Sequence, residues 1–299
     1  MPRVRPTYYA YRGGLAASRW LSPRGAQLVA WVGGTIAAVT GGSRRTMFER
    51  HIRRVQPWIS DRVVRRSSRR AFHAYARYYV ESFRLPRLSR RRVERGFSVE
   101  GFEHIEQAIA NGKGAILALP HLGGWEWAGR WLADRGYDVH AVAEVLGDED
   151  VTRLFVDLRA KLGMTVIPLD DSAGVKVAAA LRSNAVVCLL CDRDIARNGK
   201  RSGAMVDFFG ERTSIPSGPA FFALRTGASL LPVATYFRRD VDGHHAVVGP
   251  PVAFDSSGSL RDDVQRLTQS LTTRVEELIR RHPEQWHLFQ PNWPSDPGY

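Results

Sequence analysis

The sequence predicts an α/β fold: a mostly parallel central sheet flanked by helices, preceded by a helical N-terminal segment. Three observations carry that prediction. From about residue 99 onward, short apolar runs of strand length alternate with amphipathic helical stretches. Runs such as AILAL and AVVCLL are apolar at nearly every position, as strands covered on both faces are. Residues 1–95, by contrast, show arginine-punctuated helical periodicity and no strand–helix alternation. Two regions follow, a helical apolar and basic one over 1–95 and an α/β core over 96–299, joined as one continuous structural unit.

Taken in order, the start MPRVRPTYYAYRGG is basic and lacks the apolar core and small-residue site of a cleavable signal. Residues 25–42, GAQLVAWVGGTIAAVTGG, are uncharged and about as long as the shortest membrane spans. Their scarcity of Leu, Ile and Phe favours an interfacial or core-docked helix over a span. Phe72, Tyr75, Tyr79 and Phe83 then recur at helical spacing, until Pro86 in SFRLPRLS ends the helix. That aromatic stripe reads either as core packing or as a face that meets lipid or an acyl chain.

The core follows as helix FEHIEQAIANG, strand GAILALP, helix GGWEWAGRWLADRG, strand DVHAVAEVL and a helix near 148–162. Strand MTVIPL, helix AGVKVAAALRS and strand NAVVCLLC come next. In SGPAFFALRTG, Ser217 fits an N-cap with Pro219 in the first turn. Strand ASLLPVATYF turns at DVDG into HHAVVGPPVAF, and a long helix occupies roughly 259–281.

Charge and cysteine content narrow the function classes. The net charge is +13. Of 43 basic residues only Lys113, Lys161, Lys176 and Lys200 are lysines. Basic clusters crowd the first third, in SRRTMFERHIRR, DRVVRRSSRR and RLSRRRVER, which suits an anionic membrane surface, nucleic acid or a phosphate-bearing substrate. No nucleic-acid-binding module accompanies them, and neither a GxGxxG after a strand nor a Walker A motif occurs. Cys188 and Cys191 have CxxC spacing, but positions three apart on one strand face opposite ways, so they read as small buried hydrophobes. No ligand set for a metal is expected.

One histidine stands just beyond an apolar strand, where α/β folds bind ligands. His121 is followed five positions later by Glu126. On one continuous helix they would lie about 140° apart. Both can therefore serve one site only if His121 lies in the turn and Glu126 in the first turns of the helix, with Gly123 and Gly124 at the bend. A carboxylate on one imidazole nitrogen would leave the other free to take a proton from an alcohol. Taken alone the spacing is a weak signal, and a lone histidine beside a helix is more often structural.

The motifs HLGGWE, CDRD, VDFFGERTSIPSGPAFFALRTGASLLPV and HPEQWHLFQPNWP follow in an order that resembles the bacterial lipid A biosynthesis acyltransferase family, with its HxxxxD/E dyad. YARYYVESFRLPRLS and the arginine-rich composition are most similar to the actinobacterial branch, which acylates phosphatidylinositol mannoside. The resemblance implies a glycerolipid-acyltransferase-like fold with a membrane-associating N-terminal segment. It also implies transfer of a palmitoyl-type chain from acyl-CoA to a mannose hydroxyl, sequentially and without an acyl-enzyme. His121 would be the general base and Glu126 its orienting partner. Arg159, Arg193 and Asp192 are candidates for substrate binding or the oxyanion, and Glu144 for acceptor hydroxyls. Trp125, Trp127 and Trp131 are candidates for the acyl groove, and Ser217 and Gly218 for the donor site. No cofactor or metal is expected, acyl-CoA being a co-substrate. Partners would be acyl-CoA, phosphatidylinositol mannoside or a related anionic glycolipid, and the cytoplasmic face of the bacterial inner membrane, but no nucleic acid. A lipid A-type enzyme using acyl-carrier protein and a non-catalytic anionic-lipid-binding protein are the alternatives. The tail departs from the family pattern, with FQPNWP after its tryptophan, which argues against a catalytic role there.

Overall fold

A computed structural model describes residues 6–18, 20–145, 147–195, 201–256 and 258–299. The first five residues of the basic N-terminal stretch lie outside them.

Four helices come first: α1 (Pro6–Ser18), α2 (Pro23–Thr40), α3 (Gly42–Val55) and α4 (Asp61–Arg84). Ser22 caps α2, its side chain accepting from the Gly25 amide, and Pro23 occupies the first turn where no amide partner is lost. Helix α4 ends where expected, in a short 3-10 turn over Leu85–Arg87 that contains Pro86. A short α5 (Arg90–Arg95) leads into the sheet.

The core alternates as read: α6 (Glu103–Ala110), β2 (Ala115–Leu119), α7 (Trp125–Asp134), β3 (Val139–Ala143), α8 (Glu149–Ala160), β4 (Met164–Pro168), α9 (Ala173–Arg182) and β5 (Val186–Leu190). After α10 (Gly218–Thr226), β8 (Ser229–Phe237) and β9 (His244–Val248) form the expected antiparallel hairpin, and α11 (Leu260–Arg281) closes the core. Three strands escape the periodicity reading. Strand β1 (Phe97–Glu100) is only four residues and pairs at the sheet edge with β9. Strands β6 (Ala204–Phe208) and β7 (Glu211–Ile215) form a separate two-stranded ribbon within a stretch rich in charge.

The main sheet has the order β1-β9-β8-β2-β5-β3-β4. Strands β8, β2, β5, β3 and β4 are mutually parallel, and the β8–β9 turn reverses β9 and β1. The sheet separates two apolar layers. One holds Ile116, Ala118, Val187 and Cys191, the other Leu117, Leu119, Val186 and Cys188, so the two thiols do face opposite ways. Burial pushes both thiols up, Cys188 to about 12, and they remain protonated hydrophobes.

The helical N-terminal region is not separate from this core. Phe48, Ile52, Val64 and Phe72 pack with Phe289 of the C-terminal tail. Arg84 and Arg92 both hold the buried Asp242 at the tip of the β8–β9 hairpin. Among the described residues no helix is long and apolar enough to cross a membrane.

Candidate active site

Parallel pairing builds the site before any side chain is considered. Strands β2 and β5 are neighbours in register, with Leu119 opposite Leu190. The pairing continues one step, the Cys191 amide donating to Leu119 O at 2.9 Å. Two residues beyond each strand therefore come side by side: His121 after β2 and Asp192 after β5. The His121 Nδ1 lies 2.6 Å from Asp192 Oδ1, and its own amide donates to Asp192 Oδ2 at 3.0 Å.

Asp192 is completely buried, whereas the His121 side chain is 30% exposed. Burial pushes the Asp192 carboxyl up, but the His121 ring and the donors around it outweigh that and hold it below the usual carboxylate range. An ionised Asp192 accepts a hydrogen bond from Nδ1–H, and in that tautomer of the imidazole the lone pair lies on Nε2. Nε2 is thus available to act as a base.

The structure gives the imidazole a different carboxylate from the one expected. Among the described residues His121 and Glu126 share no hydrogen bond. Gly123, at φ +61°, bends the chain so tightly that a Cβ there would meet Thr235 O at 2.1 Å. Helix α7 starts two residues later, and its first turn directs Glu126 toward α4 and α8. There the buried Glu126 Oε1 accepts from Tyr78 OH at 2.6 Å and from Arg159 Nη2 at 3.1 Å. Burial and the Glu126 charge push the Tyr78 phenol well above its ordinary value, so it stays a donor. Glu126 Oε2 and Arg159 Nε have no protein partner.

The C-terminal tail, where no catalytic role is expected, lies under the pair and contacts both members. Trp286 Nε1 donates to Asp192 Oδ2 at 2.7 Å, and Asn292 Nδ2 donates to Asp192 O at 3.1 Å. The His287 amide donates to His121 O at 2.7 Å. The tail is itself pinned by His51 of α3, whose ring meets Leu288 O at 3.1 Å and Asp296 Oδ2 at 3.2 Å. Burial lowers His287 to about 3, so its ring is neutral beside His121. Trp286 stands in a stretch the sequence singled out, but its partner is 94 positions away. Asn292 and Tyr78 carried no signal of their own.

Two cavities meet at His121. The first, about 230 Å³, has walls of Tyr75, Tyr79, Phe155, Val166, Leu190 and Leu288, with Tyr78, Trp125 and Arg159 also lining it. The second, about 370 Å³, contains Asp170, Asp194, Ser202, Ser217 and Gly218 among apolar neighbours such as Val177 and Phe222. His121, Glu144 and Arg193 line both, and Arg193 Nη2 binds Glu144 Oε2 at 2.8 Å. The aromatic stripe of α4 divides: Phe72 is core, as one reading has it, while Tyr75 and Tyr79 line the cavity.

The three tryptophans of α7 part company. Trp125 reaches the first cavity, with the Arg159 guanidinium 4.7 Å from its ring centre. Trp127 is core, stacked on His244 at 4.2 Å with its Nε1 donating to Val93 O. Trp131 is also core, between Phe97 and Phe102. A helix shows different faces at successive positions, so one turn cannot bring all three to one groove. Ser217 occupies the N-cap position of α10 but makes no side-chain cap bond.

A histidine held by a carboxylate at the ends of parallel strands, beside an apolar cavity, is an arrangement in which an imidazole can take a proton from an alcohol. The chain belongs to the bacterial lipid A biosynthesis acyltransferase family, whose sequence pattern matches residues 2–295, and it is an acyltransferase. Particular relatives sharpen this. It is 36% identical over 295 residues to the phosphatidylinositol mannoside acyltransferase of Mycolicibacterium smegmatis, covering 97% of this chain and 92% of that one. The enzyme of the same name from Mycobacterium tuberculosis is 40% identical over 233 residues, 76% of this chain and 70% of its own length. A lipid A biosynthesis acyltransferase of Haemophilus influenzae is 24% identical over 201 residues, 66% of this chain and 59% of its own.

Proposed function

We propose that this acyltransferase moves a palmitoyl-type chain from acyl-CoA to a mannose hydroxyl of a phosphatidylinositol mannoside, as a peripheral protein on the cytoplasmic face of the inner membrane. The observation that carries the reading is the place of His121, on the wall shared by both cavities with Nδ1 held by Asp192. The first cavity suits the acyl chain. The second has the hydrogen-bonding groups a sugar needs, which supports an acceptor role for Ser217 and Gly218.

His121 Nε2 takes the proton of the acceptor hydroxyl as its oxygen attacks the thioester carbonyl. The tetrahedral oxyanion is stabilised by an arginine, Arg159 or Arg193, each on the wall of the first cavity. Collapse breaks the C–S bond, and the departing thiolate takes the proton back from the imidazolium. Glu126 holds Arg159 in place, and Glu144 offers an acceptor for sugar hydroxyls. The test is to incubate purified protein with palmitoyl-CoA and phosphatidylinositol mannoside and to identify products by mass spectrometry. An added acyl chain on a mannose is expected. Acylation of only a lipid A precursor, or only with a carrier-protein donor, would contradict the branch.

Helix α2 supports the membrane reading by an inverted pattern. It turns small residues, Ala26, Ala30, Gly34 and Ala38, toward the protein. A Cβ at Gly34 would meet the His73 backbone at 2.6 Å, so only glycine allows this approach. Its large apolar side chains Leu28, Trp31, Ile36 and Val39 face outward, and Arg24, Arg44, Arg65 and Arg69 are exposed nearby. Replacing Trp31 and Ile36 by serine is expected to weaken binding to vesicles containing phosphatidylinositol at least ten-fold, measured by sedimentation, with the thermal melt unchanged. Unaltered vesicle binding would remove α2 from the interface.

A further inference from the structure

We infer that the Trp125 indole is the end-stop of the acyl cavity and so sets the length of chain the enzyme transfers. This rests on the reading that the first cavity holds the acyl chain.

Trp125 lines two cavities. One is the 230 Å³ cavity that reaches His121. The other is a small space of about 30 Å³ beneath α7, walled by Phe97, Leu117, Leu119, Cys188, Val233 and Ala246. Its lining offers almost no polar surface, so it has nothing with which to hold water. Both lie on the same face of the sheet: Leu190 of the larger and Cys188 and Leu119 of the smaller belong to one apolar layer. The indole is therefore a wall common to both spaces, on one side of the sheet under α7.

Two features keep the indole there. Arg159 lines the larger cavity and not the smaller, so its guanidinium covers the ring from the substrate side. Arg159 is in turn fixed by Glu126, the next residue along from Trp125. A chain entering past His121 meets a braced, flat barrier with unfilled apolar space behind it. Close packing is the rule in protein cores, and a void sharing a wall with a substrate cavity marks where the packing can yield. Each methylene transferred from water into such a space favours binding about four-fold.

The experiment offers equal mixtures of acyl-CoA donors with 12 to 20 carbons and reads product chain lengths by mass spectrometry. Trp125→Ala and the milder Trp125→Leu are expected to move the preferred length up by about two carbons. The ratio of long to wild-type-length product should rise about fifteen-fold, two methylenes at about four-fold each. Adding Ala246→Val, which fills the small cavity from the β9 side, should move the preference of Trp125→Leu back. An unchanged length distribution in folded, active Trp125 variants overturns the end-stop while leaving the proposed function standing. No acylated product from wild-type protein with any donor overturns that function, and the end-stop with it.

Discussion

Replacing His121 with alanine should lower kcat for acyl transfer about 10³-fold, inside the 10²–10⁴ that a positioned general base contributes. Among the described residues no second imidazole is placed to take over. Among the described residues the only other imidazole lining either cavity is that of His287, which burial keeps neutral and which sits on the tail with its Nε2 enclosed. The fold should survive the change. The side chain of His121 is partly exposed, and its backbone bonds to Asp192 and His287 do not involve the ring. Thermal melting within a few degrees of wild type, together with lost turnover in the acyl-CoA assay, is the expected result. Turnover within ten-fold of wild type would show that the alcohol is activated elsewhere.

Asp192→Asn should cost nearly as much, on the order of 10³-fold in kcat, and for a different reason. Three donors converge on this carboxylate. Oδ2 takes the His121 amide and Trp286 Nε1, and Oδ1 takes His121 Nδ1. An asparagine that keeps its oxygen toward the first two presents its NH₂ to the imidazole. Nδ1 must then become the acceptor, the ring proton moves to Nε2, and the base is lost without loss of shape. The comparable aspartate-to-asparagine change in a serine-protease triad lowers kcat by about 10⁴. Glu126→Gln acts elsewhere: it weakens the hold on Arg159 and leaves the imidazole tautomer as it was.

Much of this architecture is legible along the chain because strands buried on both faces announce themselves. AILAL and AVVCLL are continuous apolar runs, and both end in a polar, titratable residue two positions on. Strand β1 is short and only half-buried, and β7 runs two charges into two hydroxyls, so neither contrasts with loop sequence. The partner of His121 was hidden for a topological reason. A five-residue spacing favours Glu126 when only local pairs can be weighed. Asp192 stands 71 positions away and becomes adjacent only because β5, rather than β3, pairs with β2. Strand order is not written in periodicity. With that order known, the register Leu119–Leu190 leads directly to His121 and Asp192. The same limit applies to the tail. Its departure from the family's pattern argues against a role, yet Trp286 and Asn292 reach Asp192 through space.

Which carboxylate holds the His121 imidazole is measured without reference to turnover by ¹⁵N NMR of selectively labelled histidine. In neutral wild-type protein, His121 should show Nδ1 protonated and Nε2 as the bare nitrogen. That pattern should persist in Glu126→Gln and be lost in Asp192→Asn. The reverse outcome, an unchanged tautomer in Asp192→Asn and a changed one in Glu126→Gln, would contradict the account.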